Sequence, residues 1–249
     1  MVQRTQLEAH LACLLDVARF KDYGPNGLQV EGKAEIVKLV SGVTVSLALI
    51  EAAIERGADA ILVHHGLFWK GQDGRVVGWM KERLRRLLNA NINVFAYHLP
   101  LDAHAQYGNN SQLGERLGFV SEARFGEQDL GFVGQLAQPF SAIDLGRHVA
   151  QVLQIEPRVI AGDGRPLQRI AWCTGGAQSY FEGAIAAGAD VFLTGELSEP
   201  QMHLARETGV AYIAAGHHAT ERYGAQALGA HLAQAFALEH EFIDIPNPA

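Results

Sequence analysis

Six of the chain's 11 histidines fall in three short segments, HHG at 64–66, HLPLDAH at 98–104 and GHH at 216–218. Two carboxylates, Asp102 and Glu221, lie in or just after the same segments. Imidazole and carboxylate together suit Zn, Fe, Mn or a similar divalent ion, whereas soft sulfur sites need thiolates. His217 and Glu221 are four apart, so at the start of a helix they share a face and can grip one ion. Adjacent His64 and His65 diverge on a regular strand, but at a strand end the backbone turns and each can serve one of two ions. Asp102 or Glu221 can bridge the pair. Five such ligands exceed a tetrahedral site with an open position and suit two ions that share carboxylates.

Neighbouring groups have supporting parts to play. His98 and His104 flank Asp102 and can orient ligands or move protons, with His98 the candidate for proton transfer. His218 is rotated by about 100° from His217 on an α-helix, so His217 is the preferred ligand. Asn26, in the turn Gly24-Pro25-Asn26-Gly27, is a candidate substrate contact. His10, His148, His203, His231 and His240 have no metal-like context.

The elements that must position these residues are legible as a repeat. Residues 38–66 and 169–197 align when Gly57-Ala58-Asp59 is set on Gly188-Ala189-Asp190, which also pairs Ala53 with Ala184 and Ile54 with Ile185. Each segment reads as strand, small-residue turn, helix and strand, with the glycine closing the helix in a left-handed conformation. A helix near 78–90 or 198–207 and a strand near 93–98 or 210–215 follow. This alternation predicts βαβ units and a mainly parallel sheet covered by helices, whose ligands collect at the carboxyl ends of the strands. The expected organisation is a first α/β half over 1–122, a small inserted module over 123–167 and a second α/β half over 168–249. Within the module, DLGFVGQL reads as a strand and Ser141 as the N-cap of a helix over 142–153.

Composition narrows the rest. Of 249 residues, 48% are hydrophobic and 19% charged, the balance of a globular protein. A net charge of −7 gives no field to attract nucleic acid. The one basic cluster, Lys81, Arg83, Arg85 and Arg86, fits the solvated face of an amphipathic helix. No apolar run approaches a membrane span, and Glu8, His10 and Asp16 interrupt any signal-peptide core. Cys13, on the apolar face of LEAHLACLLDVARF, and Cys173, after an apolar strand, read as buried free thiols. A cytoplasmic location is therefore expected. Phosphate-loop, dinucleotide and nucleophile-elbow motifs are absent. Thr174-Gly175-Gly176 reads as a tight turn whose amides could alternatively approach an anion.

NGLQVEG at 26–32, GADAILVHHGLFWKG at 57–71, HLPLDAH with GNN at 108–110, CTGGAQS at 173–179 and GHHATER at 216–222 resemble one family. It is the GTP cyclohydrolase 1 type 2 homologue family, the Ngg-interacting-factor-three-like group of dinuclear-metal hexameric proteins, and the YbgI-type members are most similar. The resemblance implies a three-layer α/β core, a toroidal homohexamer and two divalent metal ions per subunit. Its ligand pattern falls on His64, His65, Asp102, His217 and Glu221. It also implies a metal-dependent hydrolase acting on a nucleotide or other heterocyclic small molecule, as in opening a purine ring. The alternatives are a non-enzymatic metal-handling or scaffold hexamer and a redox di-iron centre. Longer members carry a sizeable domain between the halves, where this chain has only residues 123–167.

Overall fold

Apolar runs too short for helices and too continuous for a half-exposed sheet become strands buried on both faces. The structure is a computed structural model describing residues Met1–Ala249. These pack as two compact units, Met1–Gly108 with Gly224–Pro246 and Asn109–Tyr223 with Asn247–Ala249.

The first unit runs β1 (Val2–Gln3), α1 (Arg4–Leu14), β2 (Gly27–Val30), β3 (Glu35–Ile36), β4 (Lys38–Thr44), α2 (Leu47–Glu55), β5 (Ala60–His65), α3 (Gly78–Ala90), β6 (Asn93–Ala96) and α4 (Leu99–Ala103). The second runs α5 (Asn109–Leu117), β7 (Phe119–Phe125), β8 (Gly131–Phe140), α6 (Ala142–Leu153), β9 (Arg158–Ile160), β10 (Leu167–Trp172), α7 (Phe181–Ala186), β11 (Val191–Thr194), α8 (Glu199–Thr208) and β12 (Ala211–Ala214). Helix α9 (His217–Phe236) begins in the second unit and continues in the first, which β13 (Glu239–Phe242) also joins.

In the first unit the strand order is β13-β4-β5-β6-β2, parallel except for β2. Side chains alternate across this sheet. Leu39, Leu62 and Phe95 meet Leu7 and Leu11 of α1 and Leu228 and Leu232 of α9 on one face. Val40, Ile61, Val63 and Val94 meet Leu49, Ile50 and Ala53 of α2 and Leu87 of α3 on the other. Helices therefore cover both faces, in three layers.

The second unit repeats that plan. Its order is β7-β8-β10-β11-β12-β9, with a parallel centre of β10, β11 and β12 flanked by antiparallel strands. Ile170, Trp172, Leu193 and Ile213 pack on Leu113 of α5 and on Leu145 and Val149 of α6. On the opposite face Phe181 of α7 stands against Phe192 and Tyr212, at ring separations of 6.0 and 4.9 Å. Residues 123–167 supply β8, α6, β9 and the end of β7, so their strands bond directly to β10 and β12.

The repeat extends to hydrogen bonds. The Asp59 carboxylate accepts from the backbone N–H groups of Val37 and Lys38 at 2.9 and 3.0 Å. The Asp190 carboxylate accepts from those of Gln168 and Arg169 at 3.1 and 2.9 Å. Each aspartate thus locks the first strand of its repeat, β4 or β10, to the next, β5 or β11. Gly57 and Gly188, with φ of +65° and +75°, close the preceding helices as their spacing predicts.

Three local expectations can be compared directly. Ser141 caps α6, its Oγ accepting from Asp144 N at 3.1 Å. Asp102 sits on the short helix α4, which Pro100 can enter because a first-turn residue needs no N–H. Cys13 is exposed, whereas Cys173 is buried. The buried stripe of α1 is Leu7 and Leu11, and two residues beyond Leu11 the helix has turned about 200° to the opposite face.

Replacing Asp59 by Ala strands the Val37 and Lys38 amides and removes the partner of Lys33. Urea unfolding should show a loss of about 1–3 kcal/mol. Burial would raise the Asp59 carboxyl, but Lys33 and the two amides hold it below the ordinary carboxylate value. Its contribution is therefore complete above about pH 4 and fades as pH falls through the depressed native value. The stability gap between wild type and Asp59→Ala should narrow accordingly in acid.

Candidate metal centre

The carboxyl end of β5 delivers two imidazoles to one place in the first unit. Strand alternation separates His64 from His65, yet the rings converge past the strand, with centroids 4.6 Å apart. Each ring is held through Nδ1. His64 Nδ1 lies 3.1 Å from the Tyr97 carbonyl oxygen, and His65 Nδ1 lies 3.0 Å from Thr44 Oγ1. A donor bond to a carbonyl puts the proton of His64 on Nδ1, which leaves Nε2 as the nitrogen with a lone pair to offer a metal ion. That Nε2 stands 3.5 Å from Asp102 Oδ1.

His98 joins the same cluster. One ligand atom from each of His64, His65 and His98 lies within 4.8 Å of the others, close enough to meet on one ion. His98 Nδ1 is 2.7 Å from Asp22 Oδ1, while Asp22 Oδ2 accepts from Leu99 N and Asn26 Nδ2. Burial would raise the Asp22 carboxyl, but His98, Asn26 and the Tyr23 amide hold it down at about 2. Asn26 Oδ1 accepts from the His98 N–H at 2.7 Å. Both ends of the Asn26 amide therefore orient Asp22 and His98. Trp69 stands edge-on to His98, with centroids 5.0 Å apart. His104 has a local task, accepting at Nδ1 from the Gln106 and Tyr107 amides.

In the second unit the start of α9 presents His217 and Glu221 on a common face, His217 Nε2 being 3.1 Å from Glu221 Oε2. His218 N–H instead donates to the Ala249 carbonyl oxygen at 3.0 Å. The other ring nitrogen of His217, Nδ1, lies 2.7 Å from Glu196 Oε1. Burial disfavours the imidazolium, but Glu221 and Glu196 outweigh it and push the His217 pKa up to about 9. Carboxylates that retain a proton on an imidazole also favour a divalent cation beside it.

The glycine turn after β10 borders this pair. Gly175 N–H donates to Thr220 Oγ1 at 3.0 Å, and its φ is +69°. A methyl group at 175 would overlap the Glu221 carboxylate and come within 3.1 Å of His217 Nε2. The turn therefore leaves room for the two side chains, and its amide is committed within the protein.

Sequence reasoning missed Asp22 and Glu196. Asp22 carried no signal, since 76 residues separate it from His98. Glu196 did carry one: aligning the repeat sets it opposite His65. On donor chemistry both clusters fit a divalent ion, because they combine imidazoles anchored at Nδ1 with adjacent carboxylates.

Fold and donors together define an α/β protein of two related units whose histidine and carboxylate side chains could hold a divalent metal. The chain belongs to the Duf34/NIF3 (NGG1p interacting factor 3) family, whose pattern it matches over residues 2–248. A Pseudomonas aeruginosa protein described as a GTP cyclohydrolase 1 type 2 homolog is 55% identical over 94% of both chains. One of the same description from Yersinia pestis is 48% identical over 100% of both. Among solved structures, protein ybgI superposes with a TM-score of 0.97 at 45% identity, and TTHA1606 from Thermus thermophilus with 0.90 at 34%, each over 100% of both chains.

Gly175→Ala should displace Glu221 and His217 and weaken divalent-metal binding by ~10-fold or more, the usual result of disturbing a ligand's support. Zinc titration followed by calorimetry, with circular dichroism to confirm folding, measures this. Unchanged zinc binding in the folded variant would show that Gly175 does not set the placement of His217 and Glu221.

Proposed function

We propose that the chain is a two-metal hydrolase acting on a nucleotide or other heterocyclic small molecule. His64, His65 and Asp102 of the first unit and His217 and Glu221 of the second are the ligands. The observation that carries the reading is the Nδ1 anchoring of His64, His65 and His98 beside a carboxylate, a preorganisation that ordinary surface histidines lack. The substrate class follows from the GTP cyclohydrolase 1 type 2 homolog description carried by the relatives.

When bound, a pair of divalent ions supplies Lewis acidity toward the scissile bond and a water acidified toward neutral pH. The chain's own part is to position and to move protons. His98, steered by Asp22 and Asn26, exchanges a proton at Nε2 with the reacting molecule. The Trp69 ring stands edge-on beside the His98 imidazole.

Location in the cytoplasm and assembly as a homohexamer complete the reading. A chain with two cysteines, one buried and one exposed and neither in a disulfide, suits a reducing compartment. No helix is long and apolar enough to cross a membrane.

Elemental analysis of protein saturated with zinc or manganese should give two ions per chain, and a limit of one in protein with all five ligands intact defeats the dinuclear reading. Light scattering should give six times the 27.0 kDa chain mass. A panel of nucleotides, beginning with GTP, should show metal-dependent turnover that Asp102→Ala abolishes. Full metal loading without turnover would favour a metal-handling protein instead.

A further inference from the structure

The end of β11 occupies the place in the second unit that β5 occupies in the first, so Glu196 stands where His65 stands. In the first unit that position sends an imidazole into the cluster. In the second, Glu196 Oε1 lies 2.7 Å from His217 Nδ1, while Nε2 of the same ring faces Glu221 at 3.1 Å.

The Glu196 carboxylate is itself held in place. Its Oε2 accepts from Gln178 Nε2 at 3.3 Å, and its backbone carbonyl accepts from the Tyr212 hydroxyl at 2.6 Å. Gln178 is tied in turn, its carbonyl accepting from Gln201 Nε2 at 3.1 Å. A carboxylate with one oxygen on a supporting amide and the other on Nδ1 fixes both the rotation and the tautomer of the imidazole. We propose that Glu196 is the positioning residue of the His217–Glu221 half-site, accepting from Nδ1–H so that Nε2 presents its lone pair to a divalent ion. The inference rests on the metal reading of His217 given above.

Two observations separate this role from its neighbours. Coordination by Glu196 itself would need its oxygens turned away from His217 Nδ1 and Gln178, the partners it already has. A purely structural role also fits poorly, because the Glu196 side chain is 44% exposed. It borders a cavity of about 600 Å³ together with Gly195, Ala214 and Gly216. Truncation there opens no hole in the core, so variants should fold.

The test uses the full chain as wild type, Glu196→Ala and Glu196→Gln, titrated with zinc by calorimetry. Nitrogen-15 NMR of the histidine rings is recorded on the same samples, with His217→Ala to assign the His217 signals. In Glu196→Ala one zinc equivalent should weaken by about 10- to 100-fold while the other is unchanged, and the protected Nδ1 proton of His217 should disappear. Glu196→Gln, whose amide oxygen can still accept from Nδ1–H, should recover most of the affinity and the proton signal. Wild-type zinc affinity in Glu196→Ala, or an unchanged Nδ1 proton, overturns the proposal. So does a Glu196→Gln variant as weak as Glu196→Ala, since the carboxylate charge and not acceptance from Nδ1–H would then set the affinity. Wild-type protein that takes up no zinc at His217 instead fails the metal reading itself, and that is visible once the His217 signals are assigned, before either Glu196 variant is measured.

Discussion

Each unit depends on a single aspartate that bonds the backbone of the strand beside it. Asp59 and Asp190 follow the glycine that ends a helix and receive two consecutive amides from the start of the preceding parallel strand. In a parallel sheet, slipping by one residue exchanges the two faces. The aspartates forbid that slip, because a carboxylate, buried at Asp59 and half-buried at Asp190, and two amides would all lose partners at once. With register fixed at the amino ends of β4 and β5, and of β10 and β11, the opposite ends are fixed as well. His64 and His65 lie at one such end, and Glu196 just beyond the other.

From there the chemistry is set by what holds each imidazole. Histidine offers two nitrogens, and a metal site needs one committed elsewhere. Here the anchors differ for each ring. His64 uses a backbone carbonyl, His65 a threonine hydroxyl, His98 the Asp22 carboxylate and His217 the Glu196 carboxylate. A carbonyl dictates the tautomer without adding charge, whereas a carboxylate also stabilises the imidazolium. Rings backed by carbonyl or hydroxyl suit permanent ligation, and one backed by a carboxylate also suits proton movement.

Glycine has a specific part in the second unit. Gly175 is required both by its positive φ and by the nearness of Glu221 to its α-carbon. Gly195 is constrained in a similar way, since a methyl group there would lie 2.6 Å from the His217 α-carbon. Two turns without side chains thus let the start of α9 approach the sheet, which brings His217 within reach of Glu196.

Much of this was determined by the sequence alone, wherever local periodicity governs. The apolar runs, the Gly-Ala-Asp repeat, the Ser141 cap and the four-residue spacing of His217 and Glu221 are short-range patterns, and the chain forms them as read. The family is equally legible, because its motifs spread over the whole length. Tertiary structure alone decided what depends on distant approach. It placed Asp22 on His98 and Thr44 on His65, joined residues 123–167 to the second sheet, and turned Cys13 outward. Asn26 shows the difference most clearly: its turn was visible in the sequence, but its partners were not. A side chain's partner is chosen by packing across many intervening residues, and nothing in the local pattern of either partner records that choice.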